Sequence, residues 1–172
     1  MSGLVTIAPI DLVLRVSAKS NGASEHPPNT NSGPYVERVQ KVTGNHKGDP
    51  WCASEVADTG RTALGSAWPL PLTGGCQALA DFAKAQGVRF LKPERGDVFL
   101  VWHPELNRFA HTGFVVRVAI DGTCVTHEGN TSGGGSREGW LKAERTRQFK
   151  PADRFIRWVK LMPEIPWTLG AA

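Results

Sequence analysis

The sequence predicts a single α+β domain in which N-terminal helices pack on an antiparallel sheet of about five or six strands. Its 172 residues fit one domain with its own hydrophobic core. Apolar residues recur at helical spacing in the first half, and after Gly96 they give way to apolar runs typical of strands. Helices first and strands second indicate the α+β class.

Four helices are predicted from this spacing and from the turn-forming residues that bound them. Their expected bounds are residues 9–19, 34–44, 52–60 and 76–86. Ser32 is expected to cap the second helix, Pro34 suits its first turn, and Gly87 suits the C-cap of the fourth. Residues 21–34 are rich in turn formers and predict a loop between the first two helices.

The second half predicts a meander of strands. The expected strands cover residues 97–102, 111–119, 123–128, 140–146 and 154–159. Asp121-Gly122 is a strong hairpin signal, and it should join the second and third of these strands in antiparallel register. Gly129 to Gly139 is glycine-rich and predicts a loop. Residues 1–24 are expected to form an N-terminal helical extension, residues 25–160 the main domain, and residues 161–172 an irregular tail.

Charge and cysteine content narrow the possible functions only in part. The formal net charge of +4 favours anionic partners, a class that includes cell-envelope polymers, membrane surfaces and nucleic acid.

No apolar run approaches the roughly 18–20 residues that cross a bilayer, so no transmembrane segment is expected. The start Met1-Ser2-Gly3-Leu4 lacks the features of a signal peptide, which predicts synthesis in the cytoplasm. Three cysteines at irregular spacing argue against a disulfide framework.

Cys52 is the candidate nucleophile. It follows a Pro/Gly-rich approach and opens an apolar, helix-competent segment. A thiol at a helix start has a depressed pKa, because the N-terminal N–H groups and partial positive charge favour the thiolate. Cys76 and Cys124 have no matched partners in the sequence and are expected to be small buried residues.

His111 is the candidate base for this thiol. It is expected at the first residue of a strand, at the rim of the sheet. The Asp121-Gly122 hairpin folds the next strand back beside it, which brings Glu128 and Asn130 level with the imidazole. These two side chains should share a face because they lie two residues apart. Either can accept the Nδ1 proton of His111 and turn Nε2 toward the thiol.

Five short motifs in this order resemble the CHAP domain, the cysteine- and histidine-dependent amidohydrolase/peptidase family of the papain-like superfamily. They read Pro50-Trp51-Cys52-Ala53, Arg95-Gly96-Asp97-Val98, Ala110-His111-Thr112-Gly113-Phe114-Val115-Val116, Glu128-Gly129-Asn130-Thr131-Ser132 and Phe155-Ile156-Arg157-Trp158. Together with Glu25-His26-Pro27-Pro28-Asn29-Thr30-Asn31-Ser32-Gly33 upstream, they cover roughly residues 25 to 159. The resemblance implies a papain-like fold for a catalytic domain at residues 25–160.

The resemblance implies a role for each candidate residue. Cys52 would be the nucleophile, His111 the general base, Glu128 the group that orients the imidazole, and Asn130 a supporting polar group. The implied substrate is peptidoglycan, cut at the N-acetylmuramoyl-L-alanine amide or within the stem peptide or cross-bridge. Trp51, beside the nucleophile, is expected to form a wall of the substrate cleft.

Neither a metal nor another cofactor is expected. Some family members carry an acidic calcium-binding loop before the nucleophile, whereas Asn45-His46-Lys47-Gly48-Asp49 offers one carboxylate. Cys124 and His127 are half of a zinc motif without a second pair of ligands. No cell-wall-binding module is recognisable after residue 160.

The resulting hypothesis is a monomeric cell-wall hydrolase with no nucleic-acid partner, acting in the periplasm or cell wall after release or delivery. It would be a phage endolysin released with a holin, or a secreted effector with an immunity protein. Two alternatives stay open: a catalytically inactive phage structural or envelope-binding module of the same fold, and an amidase or peptidase with a substrate outside the wall.

Overall fold

The structure is a computed structural model that describes residues 8–132 and 139–163, and within them four helices precede a six-stranded antiparallel sheet. The helices are α1 (Pro9–Lys19), α2 (Pro34–Val42), α3 (Cys52–Leu64) and α4 (Cys76–Ala85). The strands are β1 (Arg89–Phe90), β2 (Val98–His103), β3 (Arg108–Val118), β4 (Cys124–Thr131), β5 (Leu141–Arg147) and β6 (Arg154–Ile156). The predicted α+β class is confirmed. No helix in these ranges is long and apolar enough to cross a membrane.

Helix α3 extends four residues beyond the predicted end at Gly60. This glycine does not end the helix. A glycine is needed at this position because a neighbouring side chain packs closely against it. A Cβ atom built there would lie 2.2 Å from ring atoms of Trp68. The helix ends instead at Leu64, before Gly65, whose φ of 58° lies in the left-handed region.

Ser32 does not cap α2, contrary to the prediction. The N-cap residue is Gly33, with a φ of 116° that L side chains rarely adopt. The Ser32 hydroxyl donates to the His26 carbonyl oxygen at 3.3 Å. The Gly33 N–H donates to the Glu37 carboxylate at 3.1 Å, so a side chain from inside the helix satisfies this backbone group.

The sheet order is β1-β6-β2-β3-β4-β5, and each neighbouring pair is antiparallel. The predicted hairpin at Asp121-Gly122 is confirmed. Gly122 has a φ of 82°, and the Asp121 carboxylate accepts the Thr123 N–H at 2.9 Å. The two-residue strand β1 is not predicted, since two residues give no periodic signal. Strand β6 is shorter than expected because Trp158 turns inward and donates to the Gly96 carbonyl oxygen at 2.7 Å.

Apolar side chains form a core on each face of the sheet. Alternation along β2 sends Val98 and Leu100 toward the helices and Phe99 to the opposite face. The helix-facing core includes Val13 from α1, which is fully buried. Helix α1, expected as an extension, therefore packs into the same core as the other helices. The predicted tail from residue 164 onward, residues 1–7 and residues 133–138 of the predicted glycine-rich loop lie outside the described residues.

A buried ion pair ties α1, α3 and β5 together. The Lys142 ammonium donates to the Glu55 carboxylate at 2.6 Å and to the Ser17 hydroxyl at 2.8 Å. The Thr59 hydroxyl donates to the same Glu55 oxygen at 2.7 Å. Lys142, Glu55 and Ser17 are all fully buried. Removing one charge of such a pair leaves the other without its partner in a dry interior.

We therefore predict that Lys142→Met lowers the free energy of unfolding by about 3–5 kcal/mol, because Glu55 then stays buried and unpaired. Urea unfolding followed by tryptophan fluorescence measures this change. Lys84→Met, at an exposed position of α4, is the matched control and should change stability by less than about 0.5 kcal/mol. Equal stability of Lys142→Met and the unmodified protein would show that the pair does not hold these elements together.

Candidate active site

Cys52 is the first residue of α3, as predicted, and its thiol lies at the bottom of a surface cavity of about 220 Å³. Only 3% of the residue is exposed. The cavity is also lined by Asn45, Gly74, Gly75, Cys76 and Arg108. The position of Cys52 at the helix start places the thiol among backbone N–H groups that have no partner within the helix. A substrate entering this cavity would meet the sulfur and these donors together.

His111 and Glu128 are brought together by the β3–β4 hairpin. His111 Nε2 lies 2.9 Å from Glu128 Oε2, and both side chains are buried. His111 is not the first residue of its strand, because β3 begins at Arg108 and places His111 opposite Val101 of β2. Pairing with β2 thus extends β3 back past the imidazole, which the apolar pattern alone did not indicate.

The imidazole is oriented opposite to the prediction. Nε2 contacts the carboxylate, and Nδ1 is buried without a hydrogen-bond partner among the described residues. Glu128 extends from the neighbouring strand and contacts Nε2, the outer nitrogen of the ring, which leaves Nδ1, the nitrogen nearer the backbone, without a contact to the carboxylate. The ring also packs on Phe99, with the centroids 5.9 Å apart.

Glu128 accepts hydrogen bonds from four side chains. Besides His111, the Arg147 guanidinium binds both carboxylate oxygens, with Nη2 2.6 Å from Oε2, and the hydroxyls of Thr126 and Thr131 donate at 2.6 and 3.2 Å. Burial alone would raise the pKa of Glu128, but the hydrogen bonds from Arg147 and His111 outweigh it and hold the pKa well below its usual range. The carboxylate therefore stays ionised.

Cys52 and His111 shift each other's pKa toward an ion pair. A hydrogen bond from the Cys76 thiol lowers the pKa of Cys52 most, and contact with His111 lowers it further against the opposing effect of burial. Burial would lower the pKa of His111, but Cys52 and Glu128 outweigh it and raise the pKa to about 9. Both shifts favour the thiolate–imidazolium form of the pair, which is the reactive form of a cysteine nucleophile.

Asn130 does not share a face with Glu128. The β4–β5 pairing shifts register between Glu128 and Thr131, and Asn130 has a left-handed φ of 55°. This irregularity gives Thr131, not Asn130, the place beside the Glu128 carboxylate. Asn130 is buried at a cavity of about 40 Å³ together with Glu25. In the described part of the chain, no hydrogen bond joins the Asn130 side chain to His111 or Glu128.

Trp51 does not form a wall of the cleft, contrary to the prediction. The residue is fully buried, and its indole Nε1 donates to the Glu25 carboxylate at 2.9 Å. The ring packs edge-on against Tyr35 at a centroid distance of 6.0 Å and belongs to an apolar cluster with α2. Successive residues at a helix start point in different directions, so Trp51 enters the core while Cys52 faces the cavity.

The sequence pattern did not place Cys76 at the candidate active site. Its sulfur lies 3.7 Å from the sulfur of Cys52, and it is the first residue of α4. The available signal was the Gly74-Gly75 approach to a helix start, similar to the approach that precedes Cys52. Cys124 fits the expectation of a buried residue, since it is fully buried on the sheet face opposite the helices.

Asn45 supplies a polar group to the cavity at Cys52. Its Oδ1 accepts a hydrogen bond from the Thr43 hydroxyl at 3.3 Å, which leaves the two Nδ2 hydrogens as donors. The amide lies directly against Gly74, where an added Cβ would come within 2.2 Å of Nδ2. Asn45 thus brings a side-chain N–H donor to the cavity that contains the Cys52 thiol.

His111 lines a second cavity, of about 290 Å³. Trp102, His103, Arg147 and Lys150 are among the residues that line it. The thiol and the imidazole therefore each line a separate cavity, Cys52 the smaller one and His111 the larger one. Within residues 8–132 and 139–163, no group of three or more His, Cys, Asp or Glu side chains is arranged to hold a metal ion.

The thiolate predicts the pH dependence of alkylation at Cys52. Because its pKa is lowered, iodoacetamide should label Cys52 at pH values well below those at which an ordinary thiol, with a pKa of about 8.5, reacts. Peptide mass spectrometry of samples labelled across a pH series measures this. Cys124 is fully buried and its pKa is raised by burial, so it is the internal control and should label much less than Cys52 across the series.

In His111→Gln the labelling of Cys52 should shift toward higher pH, because the thiolate loses its cationic partner. Labelling of Cys52 with the midpoint of an ordinary thiol in the unmodified protein would contradict the ion pair.

Comparisons of the chain with protein-family models, with curated proteins and with solved structures found no match. The assignment of this site therefore depends on the geometry and charges of its own residues.

Proposed function

We propose that this protein is a cysteine amidase or peptidase that cleaves peptidoglycan. The observation that carries the proposal is a thiol at a helix start and an imidazole that shift each other's pKa toward an ion pair, with the imidazole Nε2 2.9 Å from a buried carboxylate. A buried carboxylate that accepts hydrogen bonds from four side chains can orient and stabilise an imidazolium. Helices that precede an antiparallel sheet, with the nucleophile on a helix and its base on a strand, are also what a papain-like CHAP fold requires.

The reaction would be acyl transfer. The Cys52 thiolate attacks the carbonyl carbon of the scissile amide, and the imidazolium of His111 gives its Nδ1 proton to the leaving nitrogen. A thioester remains on Cys52. His111 then takes a proton from water at Nδ1, and the resulting hydroxide hydrolyses the thioester. Glu128 stays ionised throughout, because its pKa is far below neutral, and it stabilises each imidazolium that forms.

Two donors are available for the oxyanion that develops on the carbonyl oxygen when the sulfur attacks the carbonyl carbon. One is the backbone N–H of Cys52, at the first position of α3, where it has no partner within the helix. The other is Asn45 Nδ2, whose amide is held by the Thr43 hydroxyl and by contact with Gly74. A carbonyl bound between these donors would have its carbon at the Cys52 sulfur. The acyl part of the substrate would then occupy the cavity at Cys52, and the leaving amine the cavity at His111.

Peptidoglycan is the substrate class that the sequence motifs and the charge favour. The motifs resemble a family of wall hydrolases, and a net charge of +4 suits binding to an anionic wall polymer. The cavity lined by Cys52 and the cavity lined by His111 provide room for substrate beside the thiol and beside the imidazole. Action in the periplasm or wall, as a phage endolysin with a holin or as a secreted effector with an immunity protein, follows from this proposal.

The first test compares the unmodified protein with Cys52→Ala on purified sacculi. The unmodified protein should clear the suspension and release new amino groups, whereas Cys52→Ala should fold and release none, because the thioester cannot form. Cys124→Ser is the matched control and should retain activity, since its hydroxyl can replace the thiol that contacts the Gly122 carbonyl oxygen.

Mass spectrometry of the released fragments identifies the bond. Equal clearing by the unmodified protein and Cys52→Ala would rule out the cysteine mechanism. Intact sacculi, bound but not cut by a protein whose Cys52 still alkylates as a thiolate, would favour the envelope-binding alternative. Release of neither fragments nor amino groups, with no binding, would direct the search to substrates outside the wall.

The second test addresses the oxyanion donor. Asn45→Ala should lower kcat by about 100- to 1,000-fold with little change in KM, because the donor acts mainly in the transition state. Gly74→Ala should act in the same direction, since its methyl group would displace the Asn45 amide. Gly75→Ala is the matched comparison and should lower kcat less, because its added Cβ would find no neighbour closer than 3.6 Å. An unchanged kcat in Asn45→Ala would remove Asn45 from the mechanism.

A further inference from the structure

Two cysteine side chains meet at the bottom of the cavity that contains the nucleophile. The sulfur atoms of Cys52 and Cys76 are 3.7 Å apart, and each cysteine is the first residue of a helix. Both residues line the same cavity of about 220 Å³, so a small reagent that reaches one sulfur also reaches the other. Hydrolysis of an amide by Cys52 and His111 does not require a second thiol.

The two thiols differ in protonation, which gives each a separate task. The pKa of Cys76 is raised, first by its hydrogen bond to Cys52 and then by burial, whereas the pKa of Cys52 is lowered. Cys52 is therefore the thiolate that reacts with an electrophile, and Cys76 is the thiol that donates to it. The guanidinium of Arg108, on the same cavity, favours ionisation of Cys76 when Cys52 no longer carries a negative charge.

We propose that Cys76 is a resolving cysteine: when a hydroperoxide oxidises Cys52, Cys76 closes a disulfide with it that is reversible by thiol reductants. The disulfide would silence the hydrolase and protect its nucleophile from irreversible oxidation. The loss of hydrolysis depends on the proposed function of the site, whereas formation of the disulfide does not.

The chemistry balances with hydrogen peroxide as the oxidant. The Cys52 sulfur attacks one peroxide oxygen, an S–O bond forms, the O–O bond breaks, and the departing hydroxide takes the proton of the His111 imidazolium to become water. The Cys76 sulfur then attacks the Cys52 sulfur, an S–S bond forms and the S–O bond breaks. The hydroxyl leaves as a second water with the Cys76 proton. Two thiol sulfurs are oxidised by two electrons in total, and one peroxide is reduced.

The geometry allows this closure with a small movement. An S–S bond of about 2.05 Å requires the sulfurs to approach by about 1.7 Å from their present separation, which side-chain rotation and slight backbone adjustment can supply. Gly74 and Gly75 precede Cys76, and a Cβ atom at Gly75 would meet only ordinary contacts, so the backbone at the start of α4 is not tightly confined there. Cys124 has no such possibility, because it is buried on the opposite face of the sheet.

The test treats the purified protein with stoichiometric hydrogen peroxide and measures its intact mass, its peptide map without reduction, and its hydrolysis of sacculi before and after dithiothreitol. The unmodified protein should lose the mass of two hydrogens, give a Cys52–Cys76 linked peptide, lose activity and recover it on reduction. Cys124→Ser, the matched control, should behave in the same way.

Cys76→Ser should instead gain the mass of two or three oxygens at Cys52 at higher peroxide concentrations, because no neighbouring thiol intercepts the sulfenic acid. Each variant is compared with its own untreated activity, so an effect of Cys76 on basal turnover does not enter. After reduction, Cys76→Ser should recover at least fivefold less of its activity than the unmodified protein.

Oxygen addition at Cys52 of the unmodified protein without a linked peptide would overturn the proposal, as would equal recovery of Cys76→Ser and the unmodified protein. Failure of the untreated protein to hydrolyse sacculi would overturn the proposed function instead. In that case the mass and the linked peptide still decide whether Cys76 resolves an oxidised Cys52.

Discussion

The buried carboxylate of Glu128 is the constraint on which the site depends. An ionised carboxylate in a dry interior is stable only if donors surround it, and here they come from three adjacent strands: His111 on β3, Thr126 and Thr131 on β4, and Arg147 on β5. Satisfying this one charge fixes the imidazole ring and holds the three strands in register at this end of the sheet. Stacking of the Arg147 guanidinium over Phe99 connects the network to the apolar core beneath.

The distance between this network and the nucleophile depends on how closely β4 approaches α3. Gly129 sets that approach, because a Cβ atom there would lie 2.8 Å from the Trp51 ring and 2.9 Å from the Glu55 Cβ. Helix α3 is further fixed by the buried Glu55–Lys142 pair, one turn after Cys52. The helix that carries the thiol and the sheet that carries the imidazole are thus joined by a close glycine contact and a buried ion pair. Neither of these contacts is part of the cavity at the thiol.

Much of this arrangement is held by contacts between polar groups, which the pattern of apolar residues in the sequence does not predict. The sequence predicted a base for Cys52 and a carboxylate for His111, but it assigned the two ring nitrogens the wrong way round. It also placed Asn130 on the face of Glu128, because alternation assumes a regular strand, whereas a register shift gives that place to Thr131. Trp51 was expected to line the cleft because of its neighbour Cys52, yet its direction from the helix start leads into the core.

By itself the sequence determined the α+β class, most helix positions, the Asp121-Gly122 hairpin and the placement of Cys52 at a helix start, since each depends on spacing or turn chemistry within a short stretch. Only the tertiary structure decided that Arg147 binds Glu128, that Lys142 pairs with Glu55 and that Cys76 lies beside Cys52. These contacts join residues at least 19 positions apart. Which residues meet in these contacts depends on strand register, on helix packing and on the high free-energy cost of leaving a buried charge unpaired. None of these produces a periodic pattern along the chain.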